Sequence, residues 1–260
     1  MLPLPEVNFK RTPVTLIVAA VAVALEVVST LDPDRRYYYL MDMKLGVLST
    51  IWEGELWRPF TSTLLHANLI HLLFNVYCLL TFGWLLEPRF GSFRFLGLFA
   101  LLAYVSMLPD FVITNYRTPI DAQISSVGLS GIAYGLFGML WVGRRWHPEF
   151  EAACNADTVR LFILLFFFCI ALTALDVIHI ANIAHGAGLV FGVLYGLAIF
   201  DVRRRLRWAV LAGLATALVL STLIAVPGHN GYEHARQKQQ YERLIHDLRQ
   251  LAPAEQQEER

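Results

Sequence analysis

The sequence predicts an all-α polytopic membrane protein with seven transmembrane helices. Of its 260 residues, 56% are hydrophobic and only 16% are charged, whereas about 25% of the residues of soluble domains are charged. The apolar residues are concentrated in segments of about 20 residues, the length that a helix needs to cross a bilayer. The net charge is zero, so nothing in the composition points to a nucleic-acid partner, and we expect none.

Seven such segments follow one another along the chain. They cover roughly residues 12–30, 65–86, 93–113, 125–143, 159–177, 181–200 and 207–226. The long connection at about 31–64 is rich in aromatic residues, which is typical of a loop at the level of the lipid headgroups. The polar end at about 229–260 has aliphatic residues at helical spacing, which predicts one amphipathic helix with a solvated end.

Basic residues flank these spans asymmetrically. They lie before the first span and after the second, fourth and sixth spans: Lys10, Arg11, Arg89, Arg94, Arg144, Arg145, Arg203, Arg204, Arg205 and Arg207. If seven spans alternate, all of these groups lie on one side, which the positive-inside rule makes cytoplasmic. We therefore expect residues 1–11 to be a short cytoplasmic N-terminus. The alternative is a cleaved secretory signal, but Glu26 interrupts the first segment and no clear cleavage site follows it.

Other features narrow the function classes. Cys78, Cys154 and Cys169 have neither paired nor metal-ligand spacing, so we expect them to be packing residues. The glycine-rich fourth and sixth spans have different residue patterns, and this lack of an internal repeat disfavours a transporter. Asp176, near the end of the fifth span, is expected to be a helix-end or interface residue.

Polar residues inside membrane spans are costly and are therefore candidates for function. Such residues occur as His66, His71 and Asn75 at the second span, Ser130 in the fourth and His185 in the sixth. The four histidine and serine residues lie within about six residues of the outer ends of their spans, so they are expected to share one shallow layer. Three separate helices would then bring polar groups to one depth.

The spacing within each helix indicates which side chains share a face. His71 and Asn75 are four residues apart, and so are Ser130 and Tyr134. A serine becomes a nucleophile when a base takes its proton, and neutral imidazole is the usual base at physiological pH. We therefore expect Ser130 and His185 to form a nucleophile and base pair, with the Tyr134 ring supporting the histidine.

Repeated glycines predict that the fourth and sixth spans pack against each other. Small residues at four-residue spacing let membrane helices approach closely. The fourth and sixth spans carry such repeats: Gly131, Gly135, Gly188, Gly192 and Gly196. Close approach of these faces would bring Ser130 to His185.

Each of these features also has a purely structural interpretation. A serine in a membrane helix more often bonds its own backbone, and glycine repeats more often serve packing. A metal site made of His66, His71 and His185 is disfavoured because His66 and His71, five residues apart, lie about 140° apart on a helix. We expect neither a metal nor a cofactor.

The chain resembles the rhomboid intramembrane serine proteases. The matching motifs are GxSG at 128–131, AHxxGxxxG at 184–192, HxxxN at 71–75 with a further upstream histidine at His66, Trp57-Arg58 in the first loop, and Glu87-Pro88-Arg89 after the second span. Each motif alone is weak, but together, in this order and on these spans, they are specific. The resemblance covers about residues 12–201, the six-helix core of that family, and leaves the seventh span at 207–226 as an addition.

The resemblance implies a role for each matched residue. Ser130 is the nucleophile and His185 the general base, with no acidic third member. The side chains of His71 and Asn75, together with the Ser130 backbone N–H, are expected to hold the oxyanion. Tyr134 is expected to stack on His185, and His66 and Gly128 are expected to support the site.

The implied activity is that of a serine endopeptidase that cleaves transmembrane segments of single-span or polytopic membrane proteins within the lipid bilayer. A bacterial inner membrane is the expected location. We expect substrates to enter beside the fifth span, whose 164–168 segment forms an apolar wall. The alternative is a non-catalytic protein that binds transmembrane helices in membrane-protein quality control, which the intact pair of Ser130 and His185 disfavours.

Overall fold

The computed structural model describes residues 10–32, 43–45, 54–115 and 125–224. Within these ranges the chain forms six apolar helices long enough to cross a membrane, one shorter apolar helix and no strand, which confirms the predicted all-α membrane fold. The helices are α1 Pro13–Leu31, α2 Leu69–Phe90, α3 Ser92–Asn115, α4 Ser130–Gly143, α5 Ala156–Ala174, α6 Asn182–Phe200 and α7 Val202–Ile224. The predicted helix at 229–260 and most of the aromatic residues of the first loop lie outside the described residues.

Two of the predicted spans begin later than expected. The fourth was expected from 125, but α4 starts at Ser130 and has only 14 residues. The reason is a turn at Gly128, whose φ of 115° favours glycine and whose N–H donates to the Ser62 carbonyl at 3.2 Å. The second span was expected from 65, but α2 starts at Leu69, where the Asn68 side chain caps the helix by accepting from the His71 N–H at 2.9 Å.

Helix α4 lies at the centre of the bundle. Twelve of its 14 residues are buried, and it packs against α2, α3 and α6. With a rise of 1.5 Å per residue it is about 21 Å long, shorter than the roughly 30 Å of a bilayer core. A helix enclosed by protein can begin inside the membrane, because its first N–H groups find protein partners there instead of lipid.

The backbones of α4 and α6 are in direct contact. A Cβ built on Gly188 would lie 2.0 Å from the Gly131 carbonyl oxygen, and one built on Gly192 would lie 2.0 Å from the Gly135 oxygen. No side chain fits at such distances. The glycine repeats of the two helices therefore face each other, as the small-residue spacing predicts.

Helix α1 is capped by a residue of α2. The buried carboxylate of Glu87 accepts hydrogen bonds from the backbone N–H groups of Val14 and Thr15 at 2.9 and 2.8 Å and from the Thr15 hydroxyl at 2.7 Å. A negative group at the start of a helix satisfies N–H groups that have no partner within the helix. Glu87 thus attaches α1 to the rest of the bundle.

The arginines of the Trp57-Arg58 and Glu87-Pro88-Arg89 motifs bond to residues in the segments that connect the helices. Arg58 donates to the Glu55 carboxylate at 2.5 Å. Arg89 donates to Glu149 at 3.0 Å and contacts the ring of His147, both in the connection after α4. Partial burial of the imidazole lowers the pKa of His147, and the nearby Arg89 guanidinium lowers it further.

Helices α5 and α7 lie at the periphery. Only Thr158 and Phe162 of α5 are buried, and Asp176 follows that helix in a left-handed conformation with a φ of 53°. Asp176 is therefore a helix-end residue, as expected. The apolar residues of α7 that face the bundle pack against α3 and the first loop: Val219, Leu220 and Leu223 against Leu45, Leu108 and Phe111.

Replacing Gly192 by alanine should destabilise the protein, because the new Cβ would overlap the Gly135 carbonyl oxygen. Overpacking typically costs about 1–3 kcal/mol, and a backbone atom cannot rotate away as a side chain does. We expect the melting temperature of Gly192→Ala in detergent to fall by several degrees, with a loss of activity.

The matched control is Gly213→Ala in α7, where the added Cβ would meet no atom within 4 Å. This variant should melt within a degree or two of the unmodified protein. Equal melting temperatures for the two variants would contradict the contact between the glycine faces.

Candidate active site

Ser130 and His185 lie within hydrogen-bond distance of each other. Ser130 is the first residue of α4 and His185 lies in the first turn of α6, with 2.8 Å between the serine Oγ and the histidine Nε2. The glycine contact sets this separation, because Gly131 and Gly188 lie one and three residues further along the two helices. The two residues come from positions 55 apart in the chain.

The ring of Tyr134 stacks on the imidazole of His185. The ring centroids are 4.8 Å apart and the planes are inclined by 25°. The tyrosine hydroxyl donates to the Phe162 carbonyl of α5 at 3.2 Å, which fixes the orientation of the ring. Among the described residues, the buried Nδ1 of His185 has no hydrogen-bond partner, so no described carboxylate bonds to the imidazole.

His71 and Asn75 flank the segment that leads into α4. A Cβ built on Gly128 would lie 2.8 Å from the His71 Nε2 and 3.5 Å from the Asn75 Nδ2. Both side chains therefore face the backbone two residues before Ser130. The absence of a side chain at Gly128 is what lets this backbone approach the two donors.

Asn75 is fully buried, yet neither atom of its amide has a hydrogen-bond partner among the described residues. Leaving a buried polar group unpaired costs about 1–3 kcal/mol. Most buried polar side chains in proteins are paired, so the amide of Asn75 is an exception among the described residues.

His66 and His71 lie together, although their spacing in the sequence predicts side chains that diverge. Their rings are in contact, with centroids 5.1 Å apart and an angle of 68° between planes. His66 precedes α2, so the helical angle between the two positions does not apply. The Nδ1 of His66 lies 3.2 Å from the Leu64 carbonyl. No group of three or more metal-binding side chains occurs in the described part of the chain.

Asp110 of α3 was missed as a candidate at the sequence level. It is buried, and its carboxylate accepts from the Ser126 hydroxyl at 2.5 Å and from the Ala184 N–H at 3.2 Å. The available signal was an ionisable residue inside an otherwise apolar span, which is by default a functional candidate. Its partners could not be found from the sequence, because they lie 16 and 74 residues away.

The fold and this site define a polytopic membrane protein whose candidate site has the groups of a serine hydrolase. Comparison with protein families matches residues 53–202, more than half of the chain, to the Rhomboid domain. The chain therefore belongs to the rhomboid family.

Curated relatives agree with this assignment. The chain is 26% identical over 192 residues to the rhomboid protease GlpG of Haemophilus influenzae, which covers 74% of this chain and 93% of that protein. It is 29% identical over 175 residues to rhomboid-like protease 1 of Toxoplasma gondii, covering 65% and 57%. It is 29% identical over 145 residues to the rhomboid protease GluP of Bacillus subtilis, covering 55% and 26%. These relatives support intramembrane serine protease activity for the chain.

Proposed function

We propose that Ser130 and His185 form the catalytic dyad of an endopeptidase that cleaves transmembrane segments of membrane proteins. The observation that carries this proposal is the 2.8 Å separation between the Ser130 Oγ and the His185 Nε2. At this distance the imidazole takes the hydroxyl proton as the oxygen attacks the carbonyl carbon of the scissile bond. The imidazolium then gives the proton to the leaving amine, and an acyl-enzyme remains.

Water completes the reaction. The imidazole accepts a proton from a water molecule, the resulting hydroxide attacks the ester carbon, and the serine oxygen leaves with the proton from His185. The short α4 favours this step, since Ser130 lies at the start of a helix about 10 Å shorter than the bilayer core. The nucleophile is thereby positioned below the membrane surface but within reach of the outer aqueous phase.

The oxyanion that forms in both steps is held by three donors in this proposal: the His71 side chain, the Asn75 amide and the Ser130 N–H. The proximity of His71 and Asn75 to Gly128, and the unpaired Asn75 Nδ2, support this arrangement. Donors that are fixed before the reaction act most strongly on charge that develops in the transition state. Tyr134 holds the His185 ring, and His66 orients His71 by ring contact.

Substrates are single-span or polytopic membrane proteins that approach from the lipid. Helix α5 is the proposed point of entry, because its side chains at 164, 167 and 168 are exposed and few of its residues are buried. A helical peptide bond is shielded by its own hydrogen bonds, so cleavable segments should contain small or helix-breaking residues near the cut.

The proposed organisation follows from the spans and the basic residues. Residues 1–11 are a cytoplasmic N-terminus, 12–201 form the protease core, 207–226 are an additional span and 229–260 form a polar tail. The arginines at the connections between α2 and α3, α4 and α5, and α6 and α7 support this orientation, with the protein in a bacterial inner membrane.

Ser130→Ala and His185→Ala should each abolish cleavage of a tagged single-span substrate while the purified protein remains folded. Loss of either member of a serine and histidine pair typically costs about 10⁶ in kcat. EDTA should leave cleavage by the unmodified protein unchanged, because the dyad uses no metal. Fluorophosphonate labelling should disappear in Ser130→Ala.

Ser221→Ala is the matched control, since this exposed hydroxyl of α7 bonds only its own helix in the described structure. It should cleave normally. Persistent cleavage by Ser130→Ala, or loss of cleavage with EDTA, would contradict the dyad. An unmodified protein that binds membrane helices but is not labelled by the probe would support the non-catalytic alternative.

His71→Ala and Asn75→Ala should lower kcat strongly and leave apparent substrate affinity nearly unchanged. Removal of one oxyanion donor typically costs about 10²–10³ in kcat, or roughly 2.7–4 kcal/mol. Because both donors act on one oxygen, the double variant should lose less than the product of the single losses. Steady-state kinetics and melting temperatures of the three variants test this. Normal turnover in either single variant, or a loss explained by unfolding, would refute the assignment.

A cysteine introduced at Arg204 should be shielded from a membrane-impermeant thiol reagent in intact cells, whereas one at Gln250 should react. The reason is that seven spans with a cytoplasmic N-terminus put the two positions on opposite sides of the membrane. The unmodified chain, with Cys78, Cys154 and Cys169, gives the background labelling. The opposite pattern would mean that the first segment is cleaved or that a span was counted wrongly.

A further inference from the structure

Helix α6 begins without a capping residue of its own. Its N-cap position is Ala181, which has no side chain able to accept a hydrogen bond. The second and third residues of the helix are Ile183 and Ala184, whose N–H groups are those that an N-cap side chain normally satisfies. His185 follows directly, so any movement of this first turn moves the imidazole.

The carboxylate of Asp110 takes the place of the missing cap. One oxygen accepts from the Ala184 N–H at 3.2 Å, and the Ile183 N–H also faces the carboxylate. A negative group at this end of a helix also interacts favourably with the helix dipole. Since Asp110 belongs to α3, it fixes the first turn of α6 to a different helix.

The second oxygen of the same carboxylate holds the segment that precedes the serine. It accepts from the Ser126 hydroxyl at 2.5 Å. The backbone of this segment is fixed by the Gly128 N–H, which donates to the Ser62 carbonyl. Ser126 and Gly128 lie four and two residues before Ser130, so these bonds set where α4 starts.

We propose that Asp110 is a positioning residue that aligns Ser130 with His185. It acts through Ser126 on the serine and through the first turn of α6 on the histidine. It is not a third member of a triad, because its hydrogen bonds go to Ser126 and to backbone groups, and the His185 Nδ1 has no partner among the described residues. This inference rests on the proposed dyad.

The test compares variants of Asp110 and of Ser126, whose side chains are joined by a hydrogen bond. Ser126→Ala removes one bond and keeps the carboxylate. Asp110→Asn keeps an oxygen for the Ala184 N–H and an amide that can bond the Ser126 hydroxyl, but it removes the charge at the helix end. Asp110→Ala removes all of these interactions. The measurements are the rate constant of fluorophosphonate labelling, kcat, KM and the melting temperature.

A displacement of about 1 Å between reacting groups can cost about a hundredfold in rate. We expect labelling and kcat to fall about a hundredfold in Asp110→Ala, about tenfold in Asp110→Asn and a few-fold in Ser126→Ala, with KM within about twofold of the unmodified value. The partial recovery in Asp110→Asn is the signature of positioning, because an isosteric group restores the geometry.

Glu87→Gln is the matched control for the loss of a buried charge that caps a helix. Glu87 caps α1, which carries no residue of the proposed site. This variant should lower the melting temperature about as much as Asp110→Asn, yet the folded protein should be labelled at the unmodified rate. A purely structural role for Asp110 predicts the same behaviour for both variants.

The inference is overturned if Asp110→Asn and Ser126→Ala are labelled within twofold of the unmodified rate, or if the loss appears in KM instead of kcat. If Asp110→Ala does not fold, the other two variants decide the result. Ser130→Ala is measured in parallel: cleavage by that variant would refute the dyad itself. An inactive Ser130→Ala with normal labelling of Asp110→Asn would refute only the role of Asp110.

Discussion

The contact between the backbones of α4 and α6 is the constraint on which the rest of the structure depends. At Gly188 and Gly192 a single methyl group would overlap a carbonyl oxygen of α4. Helices in a membrane gain little from burying apolar surface against each other, so close packing must hold them together. The same contact brings the Ser130 hydroxyl to the His185 imidazole, and therefore a change that separates the helices also separates the two groups.

The bundle contains buried polar groups because α4 begins inside it. A short helix that starts inside the bundle exposes N–H groups and a polar segment at a depth where lipid offers no partners. Neighbouring segments supply these partners: the Ser62 carbonyl, before α2, accepts from the Gly128 N–H, and the Asp110 carboxylate of α3 accepts from the Ser126 hydroxyl. Among the described residues, several buried side-chain nitrogen and oxygen atoms have no hydrogen-bond partner, and both amide atoms of Asn75 belong to them. An unpaired donor beside the Gly128 backbone is unfavourable for stability, but in the proposed function this donor holds the oxyanion.

Two carboxylates of the bundle have a common physical role. Glu87 caps α1 from α2, and Asp110 caps α6 from α3. Each replaces a local cap by one from a neighbouring helix, so the start of a helix becomes fixed to the bundle. Burial of a carboxylate is costly, but N–H and hydroxyl donors of the described residues compensate for the lost hydration at both sites. In α6 this fixed start is the turn that carries His185, and so the same interaction serves both folding and the proposed site.

The sequence by itself determined the membrane class and the seven apolar helices and indicated the candidate residues Ser130, His185, His71 and Asn75, because apolar length and short motifs are local properties of a chain. It also predicted the facing glycines, since their four-residue spacing defines one helix face. Other features were decided by tertiary structure: the start of α4 at Ser130, the contact of His66 with His71 and the cap that Asp110 gives to α6. Each depends on groups from separate segments, such as Gly128 with Ser62 or Asp110 with Ala184. Hydrogen bonds between residues as many as 74 positions apart follow from how the helices pack, and no local pattern specifies that packing.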